Sequence, residues 1–267
     1  MIDYKIVILP AEKQILKTDF QEFFKSVYNQ ELGDSNWEHQ FLHSPYEDSA
    51  LFLAFDNNQI VGSALMIPQK YLMDDSTGTY YLWTTSAVSK DYRSQGVYAE
   101  LLKMQRTYAK ENKKDFIFAF PNKLAYPVVK LFGGFKDIYK TDLVKATIAD
   151  LDLSTIENSL IIDNDFAKWR FEHKAYLFYA LNEHIVISKK FEDTLDVLAI
   201  YPRSSLSDLH FKIETNTIPE NIITMKTLLK KDVEMNRIDQ LSGTYFPINK
   251  DIDYSMLKLN LLMSDVF

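Results

Sequence analysis

The sequence contains no cysteine. That excludes disulfides, thiolate metal ligands and a cysteine nucleophile, and it fits a reducing compartment. Glycine is scarce: of seven glycines in 267 residues, six lie before residue 135, so special backbone conformations are concentrated in the first half. No uninterrupted apolar run approaches the roughly 20 residues that a membrane span needs. The opening Met-Ile-Asp-Tyr-Lys-Ile-Val-Ile-Leu-Pro lacks the basic head, long apolar segment and small-residue cleavage site of a secretory signal. An excess of positive charge is also missing. The formal net charge is −7, which argues against a nucleic-acid partner held by phosphate neutralisation. These absences lead to the expectation of a soluble cytoplasmic protein with neither a membrane nor a nucleic-acid partner.

What is present is a globular composition, 46% apolar, with a length suited to one large or two ordinary domains. Aromatic residues make up 14%, enough for deep aromatic-lined clefts or for a bulky core. Residues 86–112 organise the rest. A β-rich run at 80–88 (Tyr-Tyr-Leu-Trp-Thr-Thr-Ser-Ala-Val) passes through a polar turn containing Arg93 and Gly96. It then becomes a helix on which Leu101, Leu102, Met104, Gln105 and Tyr108 recur at helical spacing. A strand that feeds a helix through a tight turn leaves backbone N–H groups unpaired at the positive end of the helix dipole. Such a helix start is either a plain connection or a site for phosphate, which Gly96 would let approach closely.

The remaining pattern orders the elements of the first half. Residues 4–9 read as a strand closed by Pro10, and 19–30 as an amphipathic helix carrying Phe20, Phe23, Phe24 and Val27. A second helix at 35–42 stops before Pro45. Residues 51–55 and 59–67, joined by Asn57-Asn58, read as a hairpin. The strand at 80–88 follows a turn in which Asp74 and Asp75 are turn formers. After the helix come a buried strand at 115–120, a helix at 124–132 and a strand beginning near Phe135.

Arg93-Ser94-Gln95-Gly96-Val97-Tyr98 resembles the coenzyme A pyrophosphate loop of the GNAT N-acetyltransferase superfamily, and the element order matches that fold. The resemblance implies an α/β architecture with a mixed sheet, mainly antiparallel at its N-terminal strands and splayed at the centre. It implies acetyl-CoA as cosubstrate, no metal, and an N-acetyltransferase acting on a small-molecule amine. Ser86, Ala87 and Val88 would lie where the fourth strand bulges and the pantetheine arm passes, with the Val88 N–H polarising the thioester carbonyl. Phe120-Pro121-Asn122, Tyr126-Pro127 and Gly133-Gly134-Phe135 are similar to a subgroup found in cell-surface polysaccharide gene clusters, which adds an amino sugar as a candidate acceptor. Asn122 would contact the arm, cap the following helix, or do both. Two positions depart from the pattern. Tyr98 stands where a small residue is usual, and the tyrosine that commonly protonates the thiolate is missing at 129–130, leaving Tyr126, one turn earlier, as its substitute. No glutamate on residues 80–88 offers a general base. The alternatives are a non-catalytic coenzyme-binding or regulatory module and an aminoacyl-tRNA-dependent acyltransferase.

After about residue 150 the pattern restarts: Leu177 to Ser188 resembles Leu51 to Ser63, and Trp169 precedes the second hairpin as Trp37 precedes the first. The expected division is a GNAT domain over 1–148 and a degenerate GNAT-like domain over 149–267, chance similarity of two apolar hairpins being the alternative. In the second part, strands are expected at 196–200 and 221–228, a helix at 206–215, and a closing pair of strands at 244–248 and 255–263. Pro202 and the absence of glycine exclude a second coenzyme loop there. His39 and His43 are spaced i, i+4 without an evident third ligand; His173, His184 and His210 are isolated. A homodimer is left open.

Overall fold

The computed structural model describes residues 1–154, 157–172, 176–191, 194–214, 218–231, 233, 236–249, 251–258 and 260–263. The chain opens with β1 (Asp3–Val7), α1 (Pro10–Ile15), α2 (Lys17–Tyr28) and α3 (Asp34–Trp37). It continues with β2 (Ala50–Asp56), β3 (Gln59–Met73), β4 (Ser76–Val88), α4 (Val97–Glu111), β5 (Phe116–Ala119), α5 (Ala125–Leu131) and β6 (Lys136–Thr147). The rest comprises α6 (Asn164–Phe171), β7 (Tyr176–Leu181), β8 (His184–Phe191), β9 (Thr194–Pro202), β10 (Asn221–Met225) and β11 (Asn236–Pro247). The eleven strands of the described residues form one mixed sheet in the order β1-β2-β3-β4-β5-β11-β6-β10-β9-β8-β7.

The sheet is built from local turn chemistry and two-faced strands. The β2–β3 hairpin turns at Asn57 and Asn58 (φ 49° and 63°) and the β3–β4 hairpin at Asp74 and Asp75 (φ 47° and 62°), residue types that tolerate the left-handed region. Along β4, Tyr80 and Leu82 face one core with Phe20, Phe116 and Phe118; Tyr81 and Trp83 face the other with Phe52, Val97 and Leu101. Helix α2 covers the first face and α4 the second, so β4 is buried on both sides, as a central strand must be.

The two parts of the chain are interleaved. β11, the last strand, pairs antiparallel with β5, while β6 pairs antiparallel with β10. Each part therefore completes its sheet with a strand that lies against the other. On the helical face, Trp169 of α6 stacks on His39 (ring centroids 4.8 Å apart), and its indole N–H donates to the carbonyls of His39 and His43 at 3.0 and 3.2 Å. Among the described residues no cluster of three His, Cys, Asp or Glu could hold a metal; His173 lies outside them.

Several expectations are corrected. Pro10 opens α1 rather than closing β1, because at a first helical position its missing N–H is no loss. The helix expected at 35–42 is one α turn followed by a π turn at Glu38–Leu42. Residues 206–214 form no helix beyond the short 3-10 turn Arg203–Leu206. There Phe211 stacks on Phe178 at 4.5 Å and the Glu214 N–H donates to the Phe178 carbonyl, holding the segment extended along β7. The described residues of 255–263 form no strand either. Tyr254–Met256 and Leu261–Met263 are 3-10 turns whose Leu257, Leu261, Leu262 and Met263 are buried in the core. Apolar runs of that length cannot be told from strands by periodicity alone.

Lys13 on α1 is fully buried, its ammonium donating to the Ser49 carbonyl at 2.6 Å and hydroxyl at 2.9 Å. Burial, only partly offset by Asp48, lowers its pKa to about 8. Below pH 8 both folded and unfolded chains carry the charge; from 8 upward the unfolded chain alone keeps the proton, so this group adds stability as pH rises. Denaturant unfolding midpoints at pH 8 and pH 10 should rise more for the native chain than for Lys13→Met. Equal pH slopes for the two would contradict this.

Candidate functional site

Strands β4 and β5 run parallel and paired only where Tyr80, Tyr81 and Leu82 meet Phe116, Ile117 and Phe118; beyond that the pairing ends. The cause lies on the other edge of β4. Against β3, Leu65 pairs with Thr84 but Ser63 pairs with Ala87, so Thr85 and Ser86 together stand opposite Ala64. This is a β-bulge, which bends and twists the strand that carries it. Thr85 sits at φ 48°, a conformation costing a β-branched residue about 1–3 kcal/mol. Side chains hold the bulge in place. Ser63 Oγ donates to the Thr85 carbonyl at 3.3 Å, and the Tyr28 hydroxyl, from the end of α2, donates to the Ser86 carbonyl at 2.9 Å. Between the separated strands lies a cleft of about 240 Å³.

The ladder fixes which backbone groups enter that cleft. Ser89 N–H donates to the Val61 carbonyl, so the adjacent Gly62–Val88 pair is a non-hydrogen-bonded one. Val88 N–H therefore faces away from β3, towards the gap. Ala87 precedes it, paired with Ser63 and buried.

At the end of β4 the chain makes a 3-10 turn at Lys90–Tyr92 and enters α4 through Gly96. Gly96 has φ +80°, and the space where its side chain would be is open. The Arg93 guanidinium Nε donates to the Val88 carbonyl at 3.2 Å, and the Gln95 amide donates to the Asp91 carbonyl at 2.8 Å. These two side chains brace the loop itself. Ser94 takes φ 69°, so two left-handed residues within three turn the chain sharply. The first intrahelical bond is Glu100 N–H to the Gly96 carbonyl; the N–H groups of Gly96, Val97, Tyr98 and Ala99 have no acceptor among the described residues. They are open donors at the positive end of a 15-residue helix. Gly62 on β3 makes this seating possible, since a Cβ there would lie 2.9 Å from Val97 Cγ1.

Inside the cleft Trp83 Nε1 is buried without a hydrogen-bond partner among the described residues, and the Ser86 and Tyr98 hydroxyls are buried side by side. The Tyr98 ring packs against Trp83 at 6.0 Å, and its hydroxyl lies towards Ser86 and Tyr28. Burial pushes the Tyr98 phenol well above its ordinary pKa, and that of Tyr28 up to about 12, so both are neutral donors at physiological pH. Asn122 lines the opposite wall, and its side-chain oxygen accepts from the N–H groups of Leu124 and Ala125 at 3.0 and 2.9 Å. It caps α5 while bordering the cleft. No Asp, Glu or His lines the cleft among the described residues.

The structure does not bring Tyr126 into this group. Its hydroxyl donates to the Asp137 carboxylate on β6 at 2.9 Å, and Lys130 binds the same carboxylate at 3.0 Å. Burial works against the ionised form of Asp137, but these two donors hold its carboxyl below the usual range. Sequence spacing placed Tyr126 near the cleft without showing which way its hydroxyl points. Tyr28 was missed for a different reason: 58 residues separate it from Ser86, and nothing local marks the contact. A second cavity, about 520 Å³, lies between the π turn and α6, lined by Glu38, His39, His43, Lys168 and Trp169 among others.

Residues 13–135 match the family model of the acetyltransferase (GNAT) domain. No curated protein matches the chain. Among solved structures, a GCN5-related N-acetyltransferase from Kribbella flavida is similar at TM-score 0.61 and 11% identity, covering 93% of this chain and 72% of its own. Eis1 from Mycobacterium abscessus is similar at TM-score 0.58 and 11% identity, over 93% and 74% of the two chains. A GCN5-related N-acetyltransferase from Anabaena variabilis gives 0.57 and 10%, over 92% and 73%. These likenesses establish a shared fold across almost the whole chain. Residues 13–135, a little under half of the chain, are thus similar to the acetyltransferase (GNAT) domain, and the fold is that of the acetyltransferase structures it resembles.

Because Gly62 lets α4 sit against β3, Gly62→Val should overpack that contact and cost about 1–3 kcal/mol. Denaturant unfolding checks this; an unchanged midpoint would mean that α4 is not held there.

Proposed function

We propose that this protein is an acetyl-CoA-dependent N-acetyltransferase acting on the amine of a small molecule. The observation that carries the reading is the conjunction of the bulge-opened cleft with the donor-rich start of α4 immediately after it. A nucleotide pyrophosphate suits the N–H groups of Gly96, Val97 and Tyr98, where the helix dipole adds to the hydrogen bonds. A pantetheine arm, which carries amide donors and acceptors, suits the unpaired edge of β4 at Ser86 and Val88, much as an added strand would. At the bulge a preorganised N–H is the group that stabilises charge developing on a thioester oxygen. With no carboxylate or imidazole in the cleft, the amine arrives neutral or gives its proton to water.

The second part of the chain is read as a degenerate GNAT-like unit, spanning 149–267 beside a domain at 1–148. Its support is the mirrored strand order and the exchange of β6 and β11. The short loop Arg203–Leu206 follows Pro202, which lacks an N–H, so this unit supports the first rather than binding coenzyme itself. The missing base and the engaged Tyr126 favour a second reading, a module that binds coenzyme A without turnover.

Calorimetric titration with acetyl-CoA, on the native chain and on Gly96→Trp, tests the proposal. One-site binding that the substitution abolishes is expected, because an indole at the open Gly96 position occupies the space of the phosphates. No binding to the native chain overturns both readings. An amine panel that includes amino sugars then separates them: binding without release of free thiol favours the second.

A further inference from the structure

Helix α5 is apolar on every side: Ala125, Pro127, Val128, Val129 and Leu131 make up five of its seven residues. That composition belongs to a helix buried all round. The structure buries one side only. Val129 is fully buried against the face of the sheet that α4 covers, and Ala125 lines the cleft. Leu124 and Leu131, two turns apart on one face, are 84% and 77% exposed, and Phe132 beside them is 62% exposed. Of the nine most exposed large apolar side chains among the described residues, three therefore fall between positions 124 and 132.

The charge around this face is opposite to that of the rest of the chain. Between residues 97 and 140 lie nine of the 30 Lys and Arg but four of the 37 Asp and Glu, so this stretch is net +5 and the remainder −12. Arg106 of α4 reaches the end of α5, donating to the Gly133 carbonyl at 3.0 Å, and it lies with Lys110 over the Phe246 ring. Lys123, with 85% of its side chain exposed, precedes Leu124. The neighbouring carboxylates Asp137 and Asp239 are engaged by Lys130 and Lys123. A second copy suits this face poorly. A stripe one helix wide and about 10 Å long falls short of the roughly 800 Å² that each partner gives to a stable interface, and a symmetric pair would bring like charges together.

We propose that the outer face of α5 docks on an anionic lipid surface. Leu124, Leu131 and Phe132 enter the boundary between headgroups and acyl chains, while Arg106, Lys110 and Lys123 meet lipid phosphates. Protruding apolar side chains and a basic surround are the two signals that such binding needs, and the acidic remainder of the chain orients this face towards the membrane. Among the described residues no helix is long and apolar enough to cross a membrane. The expectation of no membrane partner followed from the lack of a spanning run, which contact in the headgroup plane does not require. The inference is independent of the acetyl-CoA reading.

Co-sedimentation with vesicles tests it, using phosphatidylcholine alone and equal parts of phosphatidylcholine and phosphatidylglycerol. The native chain should sediment with the mixed vesicles and not with phosphatidylcholine alone, and high salt should release it. Leu131→Glu with Phe132→Glu should weaken that binding roughly tenfold or more, and Lys110→Gln with Lys123→Gln by a similar factor. All four positions are exposed, so both variants should melt as the native chain does. Failure of the native chain to sediment with the mixed vesicles overturns the proposal, as does binding that neither variant weakens. A dimer in light scattering that Leu131→Glu with Phe132→Glu dissociates, without vesicle binding, overturns it in favour of a second copy.

Discussion

The arrangement depends on one irregularity in a ladder of hydrogen bonds. Placing Thr85 and Ser86 opposite the single residue Ala64 shifts the register of β4 against β3, just beyond the point at Leu82 where its pairing with β5 ends. The left-handed Thr85 is unfavourable on its own and persists because the surrounding sheet, Ser63 and Tyr28 over-determine it. What the strain produces is an edge of backbone inside the molecule rather than at its rim. A regular β4 would pair with β5 to its end, and the same side chains would then form a sealed core. The bulge converts core into cleft without removing an element, and the helix that follows begins with unpaired N–H groups and sends Tyr98 into the lining of the same opening.

The sheet around this opening is long, and its two parts are held together by exchanged strands rather than by a surface contact. With β11 inserted beside β5, the strand flanking the cleft is supported by residues more than a hundred positions away, as in the pairing of Thr244 with Ala119. The buried 3-10 turns after Tyr254 fill the core on the same face, and the Tyr254 hydroxyl donates to the Asp115 carbonyl just before β5. The second part of the chain therefore fixes the far wall of the cleft, a positional role that requires no chemistry of its own.

Much of this was legible in the sequence because it is local. The turn asparagines, the helical spacing of α2 and α4, the loop from Arg93 to Tyr98 and the capping by Asn122 each follow from a few adjacent residues. The bulge was located to within two residues, but its centre is at Thr85–Ser86, because register depends on the partner strand. Nothing local shows that Tyr126 turns to Asp137, or that Tyr28 reaches Ser86. The extended segment at 206–214 and the turns at 255–263 were misread because burial, set by distant strands, decided their conformation. The exchange of β6 and β11 is a property of the whole topology, invisible to any window of residues.

The central claim is that a coenzyme lies along the unpaired edge of β4 with its phosphates on the start of α4. Backbone amide resonances followed through a titration with coenzyme A test it most directly. The account predicts that the N–H signals of Ser86, Val88, Gly96, Val97 and Tyr98 shift together and saturate at one ligand per chain. Shifts confined to His39, His43 and the Trp169 indole, around the larger cavity beside the π turn, would contradict it and place the ligand elsewhere.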